Sequence, residues 1–319
     1  MLARDRDAVS EALNRIDDAR PGQREKALEL LGALEGAAPL AGPPRVGLTG
    51  APGAGKSSLL DAIVRTLRAS GETLGIVAVD PSSRRTGGAL LGDRIRVRSS
   101  ASDPGVFFRS MAARERLGGV ADATRAGVTV LAAAFDWVFV ETVGVGQSET
   151  DVATLVDTLV YVAQPGAGDL LQFMKAGILE VPDIFVVNKA DLGAVAARTA
   201  GELEAGLGLG WRDGTAGWTP PVLLTSARDG TGISELVLTI RAHRRHLESS
   251  GSLEARRARS KEAFVEETLE RRYGSYGTAQ LGGPAGIASR VREARDASAF
   301  SLVLALGREI EDALRKPLP

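Results

Sequence analysis

No cysteine occurs among the 319 residues. That excludes a disulfide framework and any thiolate metal centre, and it suits a reducing compartment. Asparagine and histidine appear twice each, and lysine only six times against 33 arginines. An asparagine or lysine inside a motif therefore stands out from the background. The formal net charge is -1, so no basic field calls for nucleic acid. No apolar run approaches the roughly 18 residues of a membrane span. The opening "MLARDRDAVSEALNRIDDAR" lacks the apolar stretch of a secretory signal, and its acids disfavour a transit peptide. A soluble cytoplasmic protein is expected. Hydrophobic residues make up 44% of it, enough for a sizeable core.

Three regions follow from the pattern along the chain. Residues 1–42 form a helical extension, with two short helices across 4–36. Ala27, Leu30, Leu31 and Leu34 recur there at helical spacing. "APLAGPP" links it to a second region, residues 43–248, where apolar runs alternate with helical stretches. The runs are "RVGLT", "LGIVAVD" (74–80), "DWVFVE" (136–141), "TLVYVAQP" (158–165), "DIFVVN" (183–188) and "PVLLTS" (221–226). Strands buried on both faces read this way. The fold expected is therefore α/β, with a mostly parallel central sheet flanked by helices and helical extensions at both ends. Asp80, Glu141, Gln164, Asn188 and Ser226 fall at the ends of these runs, where open parallel sheets bind ligands. Residues 249–319 read as a helical arm. A helix over 253–273 carries Phe264, Val265, Leu269 and Tyr273, "SYGTAQLGGPAG" breaks it, and a last helix spans 286–315. This arm is too thin in apolar residues for a large core of its own, so it is expected to pack on the main domain or on a second copy.

The chemistry begins at "GAPGAGKSS" (50–58), which meets GxxxxGK[ST] with Gly50, Gly55, Lys56 and Ser57. Chance supplies that pattern on the order of 1% of the time. The backbone of Gly53, Ala54, Gly55, Lys56, Ser57 and Ser58 can cradle phosphates at a helix N-terminus. Lys56 can reach the β- and γ-phosphates, and the Ser57 hydroxyl can ligate Mg2+. "NKAD" spends one of two asparagines and one of six lysines. Asn188 can bond a purine N7, and the Lys189 stem can lie along the ring. Asp191 accepts from the N1–H and amino group of guanine, which adenine cannot offer. "TSA" after the last strand puts Ser226 and Ala227 near the guanine carbonyl.

Other segments leave alternatives open. Glu141 ends a strand, where it can hold Mg2+ through water or orient the attacking water. Gly144 lets a backbone N–H approach the γ-phosphate. Asp80 and Asp93 can complete the Mg2+ shell through water, although Asp80 also suits a turn. Arg84 and Arg85 read as solvated charge. In "QPGAGDLLQFMKAGILE" (164–180), Asp169 suits a helix cap, while Gln172 and Lys175 share a helical face. Lys175 can swing toward nucleotide or partner. His243 and His246 read as surface histidines among arginines, not as a metal pair.

Taken in order, "GAPGAGKSS", "VDPSS…TGGALLGDR", "ETVGVGQSE", "QPGAGDLLQ..K.GI.E" and "NKAD" resemble the MeaB/ArgK-type GTPases across about residues 45–250. These are G-protein chaperones of adenosylcobalamin-dependent acyl-CoA mutases such as methylmalonyl-CoA mutase. The resemblance implies GTP hydrolysis coupled to cobalamin loading, protection of the mutase and release of damaged cofactor. It also implies a homodimer to which C-terminal helices contribute. Asp80, Asp93 and Glu141 match the family's Mg2+-side acids. Residues 164–180 match a mobile loop that meets the mutase, with Asp169, Gln172 and Lys175 as coupling positions. One departure is "SMAARERLGG", where Glu115 and Arg116 replace a Gly-His pair of many relatives. The competing readings are a nickel-type metal-delivery GTPase, a small-molecule phosphotransferase and a nucleotide-timed switch for another partner. The first of these needs Cys/His clusters that the chain lacks.

Overall fold

Among the described residues, seven strands pair in parallel, in the order β3-β2-β4-β1-β5-β6-β7. They are β1 (Arg45–Thr49), β2 (Leu74–Asp80), β3 (Val106–Ala112), β4 (Trp137–Thr142), β5 (Thr158–Ala163), β6 (Ile184–Val187) and β7 (Val222–Leu224). The computed structural model describes residues 5–18, 20, 22–37, 42–80, 103–112, 120–142, 152–166, 182–210 and 217–315. The helices are α1 (Arg6–Ile16), α2 (Gln23–Ala37), α3 (Lys56–Ala69), α4 (Val120–Ala132) and α5 (Ala194–Gly210). They continue as α6 (Ile233–Ser249), α7 (Ser252–Ala279), α8 (Gly283–Glu293) and α9 (Ala299–Arg315).

Two compact units result. The sheet unit holds Pro43–Ala113 and Phe135–Leu253. Alternation along the strands explains why central segments such as β5 and β6 are nearly continuous apolar runs. On one face Val160, Val162, Ile184 and Val186 pack with Leu59, Ile63 and Leu67 of α3 and with Leu236 and Ile240 of α6. On the other, Tyr161, Ala163, Phe185 and Val187 pack with Ala196, Ala200 and Leu203 of α5. A period-2 strand covered on both sides has no polar position left to show. Each fully buried large side chain, Phe185 among them, contributes about 1.5–3 kcal/mol.

Polar groups close the amino ends of the strands. Asp157 accepts from the Arg45 amide and from the buried Arg244 guanidinium at 2.7 Å. Asp183 accepts from the Leu159 amide at 2.8 Å and faces His243 Nε2 at 3.3 Å. His243 Nδ1 lies 2.8 Å from the Thr158 hydroxyl, and the Trp218 ring packs on the imidazole. His243 is 1% exposed, so the expectation of a surface histidine is corrected. It pins α6 beneath β5 and β6, a role that depends on Thr158, Asp183 and Trp218 in other segments and leaves no local trace.

The helical unit combines Met1–Gly42, Arg114–Ala134 and Glu254–Pro319. A segment from mid-chain, α4, thus joins the terminal helices. Its Arg125 lies over the Phe264 ring, donates to the Ser260 carbonyl at 2.9 Å and also meets the Ser260 hydroxyl. Phe264 meets Phe300 edge to face. The arm finds partners in the chain's own first helices: Glu35 of α2 accepts from the Ala299 amide at 2.9 Å. The expected break is met at Gly274, whose backbone (φ 66, ψ 179) is not helical, although helix resumes as far as Ala279. The expected single last helix is corrected: Gly282 and Pro284 start α8. The chain breaks again at 294–298, where Lys261 gathers the carbonyls of Ala294, Arg295 and Ala297. Burial holds the Lys261 ammonium below the usual lysine range.

Tyr273 lies against Gly277 and Gly307 and donates to Glu311 at 2.6 Å. Burial, and after it that bond, push its hydroxyl up to about 12 from an ordinary 10.0. Between those values the folded chain keeps the phenolic proton and the unfolded chain releases it. This contribution is therefore present below pH 10 and is lost as the pH rises to about 12. Measured as urea midpoints across that window, the parent is expected to lose stability relative to a Tyr273→Phe variant. Parallel curves would remove the linkage.

Candidate functional site

β1 lies between β4 and β5, and its carboxyl end opens into the glycine-rich loop. Gly50 leaves the sheet with φ 135, and a Cβ there would stand 2.1 Å from the Val162 carbonyl oxygen. Only glycine passes so close to the neighbouring strand. Gly55 precedes α3 in the left-handed region (φ 87), and no side chain caps the helix. The first-turn N–H groups of Lys56, Ser57 and Ser58 have no carbonyl within the helix to bond, and they face the loop with the helix's positive end. Lys56 is 6% exposed. Its ammonium turns back into the loop, donating to the Gly50 carbonyl at 2.7 Å and the Ala51 carbonyl at 3.1 Å. A buried cation is thus held by carbonyl dipoles where a polyphosphate would lie.

Asn188 follows β6 and is 2% exposed. Its Nδ2 donates to the Ala54 carbonyl at 3.0 Å and the Gly55 carbonyl at 3.3 Å. Its Oδ1 accepts from the Ala227 amide and the Thr225 hydroxyl, each at 3.4 Å. Lys189 takes the left-handed conformation (φ 63), and its Nζ reaches the Gly53 carbonyl at 2.8 Å. The lysine side chain therefore bridges the turn after β6 to the glycine-rich loop. Asp191 sits in the 3-10 turn Ala190–Leu192, and the Ala190 amide bonds the Thr225 carbonyl at 2.8 Å. The buried Ser226 hydroxyl donates to one oxygen of Asp191 at 3.1 Å, and Arg228 lies 3.5 Å from the other. Beside them, the Thr231 amide and hydroxyl hold the Asp229 carboxyl below its usual range.

On the other side of the loop, Ser57 Oγ donates to Glu141 Oε1 at 2.5 Å. Both donors are hard oxygens. Among the described residues no group of three His, Cys, Asp or Glu could hold a metal ion. Two side-chain oxygens beside a phosphate loop suit Mg2+, which takes one or two protein ligands plus phosphates and water.

The structure thus gathers Gly53, Ala54, Gly55, Lys56, Ser57, Ser58, Glu141, Asn188, Lys189, Asp191, Ser226 and Ala227 at one end of the sheet. The backbone of Asp80 closes β2. Its side chain lies outside the described residues, as do Asp93, Glu115, Arg116, Gly144, Asp169, Gln172 and Lys175. Two neighbours had no assigned role. The Gln164 side chain lies 3.4 Å from where a Gly53 Cβ would stand, and Arg228 pairs with Asp191. Position at a strand end was the one sequence signal for Gln164, and Arg228 had none.

The chain is similar to known proteins in sequence and in fold. The family model described as Methylmalonyl Co-A mutase-associated GTPase MeaB matches residues 9–276. A Pyrococcus abyssi protein named as a GTPase is 51% identical over 216 residues, 66% of this chain and 66% of that one. The match therefore spans about two thirds of the relative's length. The Mus musculus methylmalonic aciduria type A homolog, mitochondrial, is 40% identical over 216 residues, covering 67% of this chain and 52% of its own. A crystal structure of an LAO/AO transport system kinase superposes with TM-score 0.72 at 25% identity, over 98% of this chain and 95% of that one.

Gly50→Ala is expected to abolish nucleotide binding and to cost about 2–4 kcal/mol in urea unfolding. Gly71 also has positive φ (78) but open space around it, so Gly71→Ala should cost only about 1 kcal/mol and leave binding intact. Equal costs would mean that the approach to Val162 does not matter.

Proposed function

The chain belongs to the family of methylmalonyl-CoA mutase-associated GTPases, MeaB, and from that membership we propose that it is the GTP-hydrolysing chaperone of an adenosylcobalamin-dependent acyl-CoA mutase. In this role GTP turnover gates cofactor loading, protects the mutase and permits release of damaged cobalamin. The observation that carries the nucleotide half is the Asn188 side chain, which joins the phosphate loop to the turn bearing Asp191. The mutase half rests on the family's own description and on the name of the mouse relative.

In this mechanism the amides of residues 53–58 and the Lys56 ammonium bind the β- and γ-phosphates. Asp191, oriented by Ser226, accepts from the guanine N1–H and amino group. Ser57 and Glu141 would hold Mg2+, with Asp80 and Asp93 as outer partners. That ion supplies charge neutralisation at the phosphate oxygens. Glu141 or Asp80 orients the attacking water, and the Gly144 amide reads the γ-phosphate. Asp169, Gln172 and Lys175 couple the site to the mutase, which speeds a slow intrinsic reaction by fixing water and charge in line. We assign the GTPase domain to residues 43–248, the N-terminal extension to 1–42 and a dimerising arm to 249–319. The setting is a cytoplasmic homodimer. A nickel-carrying role finds little to use here: there is no cysteine, and His243 is committed to Thr158 and Asp183.

Asp191→Asn is expected to move preference from GTP toward XTP by at least about tenfold in kcat/KM. Unchanged GTP preference would remove Asp191 from base selection. For the partner, GTP-loaded chain is expected to retain a cobalamin-dependent mutase from lysate, and GDP-loaded chain to retain less. Recovery of no cobalamin enzyme in either state would sink the chaperone role while leaving the GTPase intact.

A further inference from the structure

The paired register of β1 with β4 ends at Leu48 opposite Glu141. One residue further stand Thr49 and Thr142, the last residues of their strands, each 1% exposed. From Thr49 the chain turns into the phosphate loop at Gly50. From Thr142 it continues into "VGVGQSE". The Thr142 hydroxyl donates to the Thr49 hydroxyl at 3.1 Å and lies 3.5 Å from the Leu48 carbonyl. A side-chain bond thus carries on the β1–β4 pairing where the backbone ladder has stopped.

Packing does not explain these hydroxyls. Apart from Arg45 and Glu141, the other residues of the two strands are apolar or glycine: Val46, Gly47 and Leu48 on β1, and Trp137, Val138, Phe139 and Val140 on β4. Valine has nearly the shape of threonine and would avoid burying polar atoms. Alternation along the strands separates two functions. Glu141 shares the face of Leu48, where it meets Ser57 at the start of α3. Thr142 and Thr49 therefore point to the opposite face. The dipeptide Glu141–Thr142 is held from both sides of the sheet, by a carboxylate above and a hydroxyl below. On its other edge Thr142 stays paired with Val79 of β2. Loss of the hydroxyl would free only the side of β4 that faces the phosphate loop.

We propose that Thr142 and Thr49 are a positioning pair for GTP hydrolysis. Their bond fixes the level of Glu141 against Ser57 and Lys56 at the carboxyl ends of β1 and β4. Neither residue touches the nucleotide. The inference needs only the GTPase activity and is independent of any mutase.

The test uses the full chain with three variants: Thr142→Val, Thr142→Ser and the double Thr49→Val/Thr142→Val. Thr142→Val should lower kcat about tenfold or more, with KM for GTP and affinity for GDP held within about twofold. Thr142→Ser, which keeps the hydroxyl, should return kcat to within about threefold of the parent. The double variant leaves no unpaired hydroxyl, so it should melt at or above the parent temperature and still turn over slowly. Parental turnover in the double variant would overturn the proposal. So would a parallel loss of kcat and nucleotide affinity, or a serine variant as slow as valine. If Thr142→Val fails to fold, the rate of the double variant decides alone.

Discussion

The primary amide of Asn188 is the point on which the site depends. Its nitrogen holds two carbonyls of the phosphate loop, and its oxygen takes a backbone amide and a hydroxyl from the turn after β7. Among neutral side chains, only the carboxamides of asparagine and glutamine offer two donors and an acceptor in one plane. Each such bond contributes about 0.5–1.5 kcal/mol net, but their joint effect is geometric. They set the distance between the place for phosphate and the place for a base. Lys189 adds to this at a cost. Its left-handed backbone is strained by about 1–2 kcal/mol, and in return its ammonium reaches Gly53 from 136 positions away.

The sheet makes this possible because β1 sits where the strand order reverses direction, with β4 on one side and β5 on the other. The loop after β1 and the turns after β6 and β7 meet on the rim where β4 ends. Glycine at position 50 lets the first loop cross β5 at a distance no side chain would tolerate, and glycine at 55 does the same beneath Asn188. The opposite rim is stabilised differently. There Asp157, Asp183, Arg244 and His243 pair in a buried polar layer that locks α6 to the sheet. One rim spends its polar groups on packing and the other keeps them for a ligand.

Most of this sheet could be read from sequence because its strands are apolar on both faces, which leaves unbroken runs of Val, Ile and Phe. The segments at 45–49 and 74–80 match to the residue. β3 escaped notice because it is an edge strand whose "VFFRSMA" mixes Arg109 and Ser110 into the run. α4 escaped because valine and threonine in "VADATRAGVTVLA" argue for a strand, and its partners α1 and α2 lie far away in the chain. The phosphate loop and "NKAD" were legible because each is a contiguous backbone device. The contacts of Arg228, Gln164 and His243 arise only when distant segments meet, so local spacing carries no sign of them.

A unit assembled from three stretches of chain also has a schedule. The last strand of the sheet unit ends at Leu224 and its last helix at Ser249, so that unit is complete early. α2 must wait longer, because Glu35 meets its partner Ala299 across 264 positions. At about 5–20 residues per second on a ribosome, that interval is on the order of ten to fifty seconds. For that time Leu31 and Leu34 belong to a nascent chain without their final cover. The sheet unit, whose last helix ends at Ser249, is therefore synthesised before the residue that fixes the end of α2.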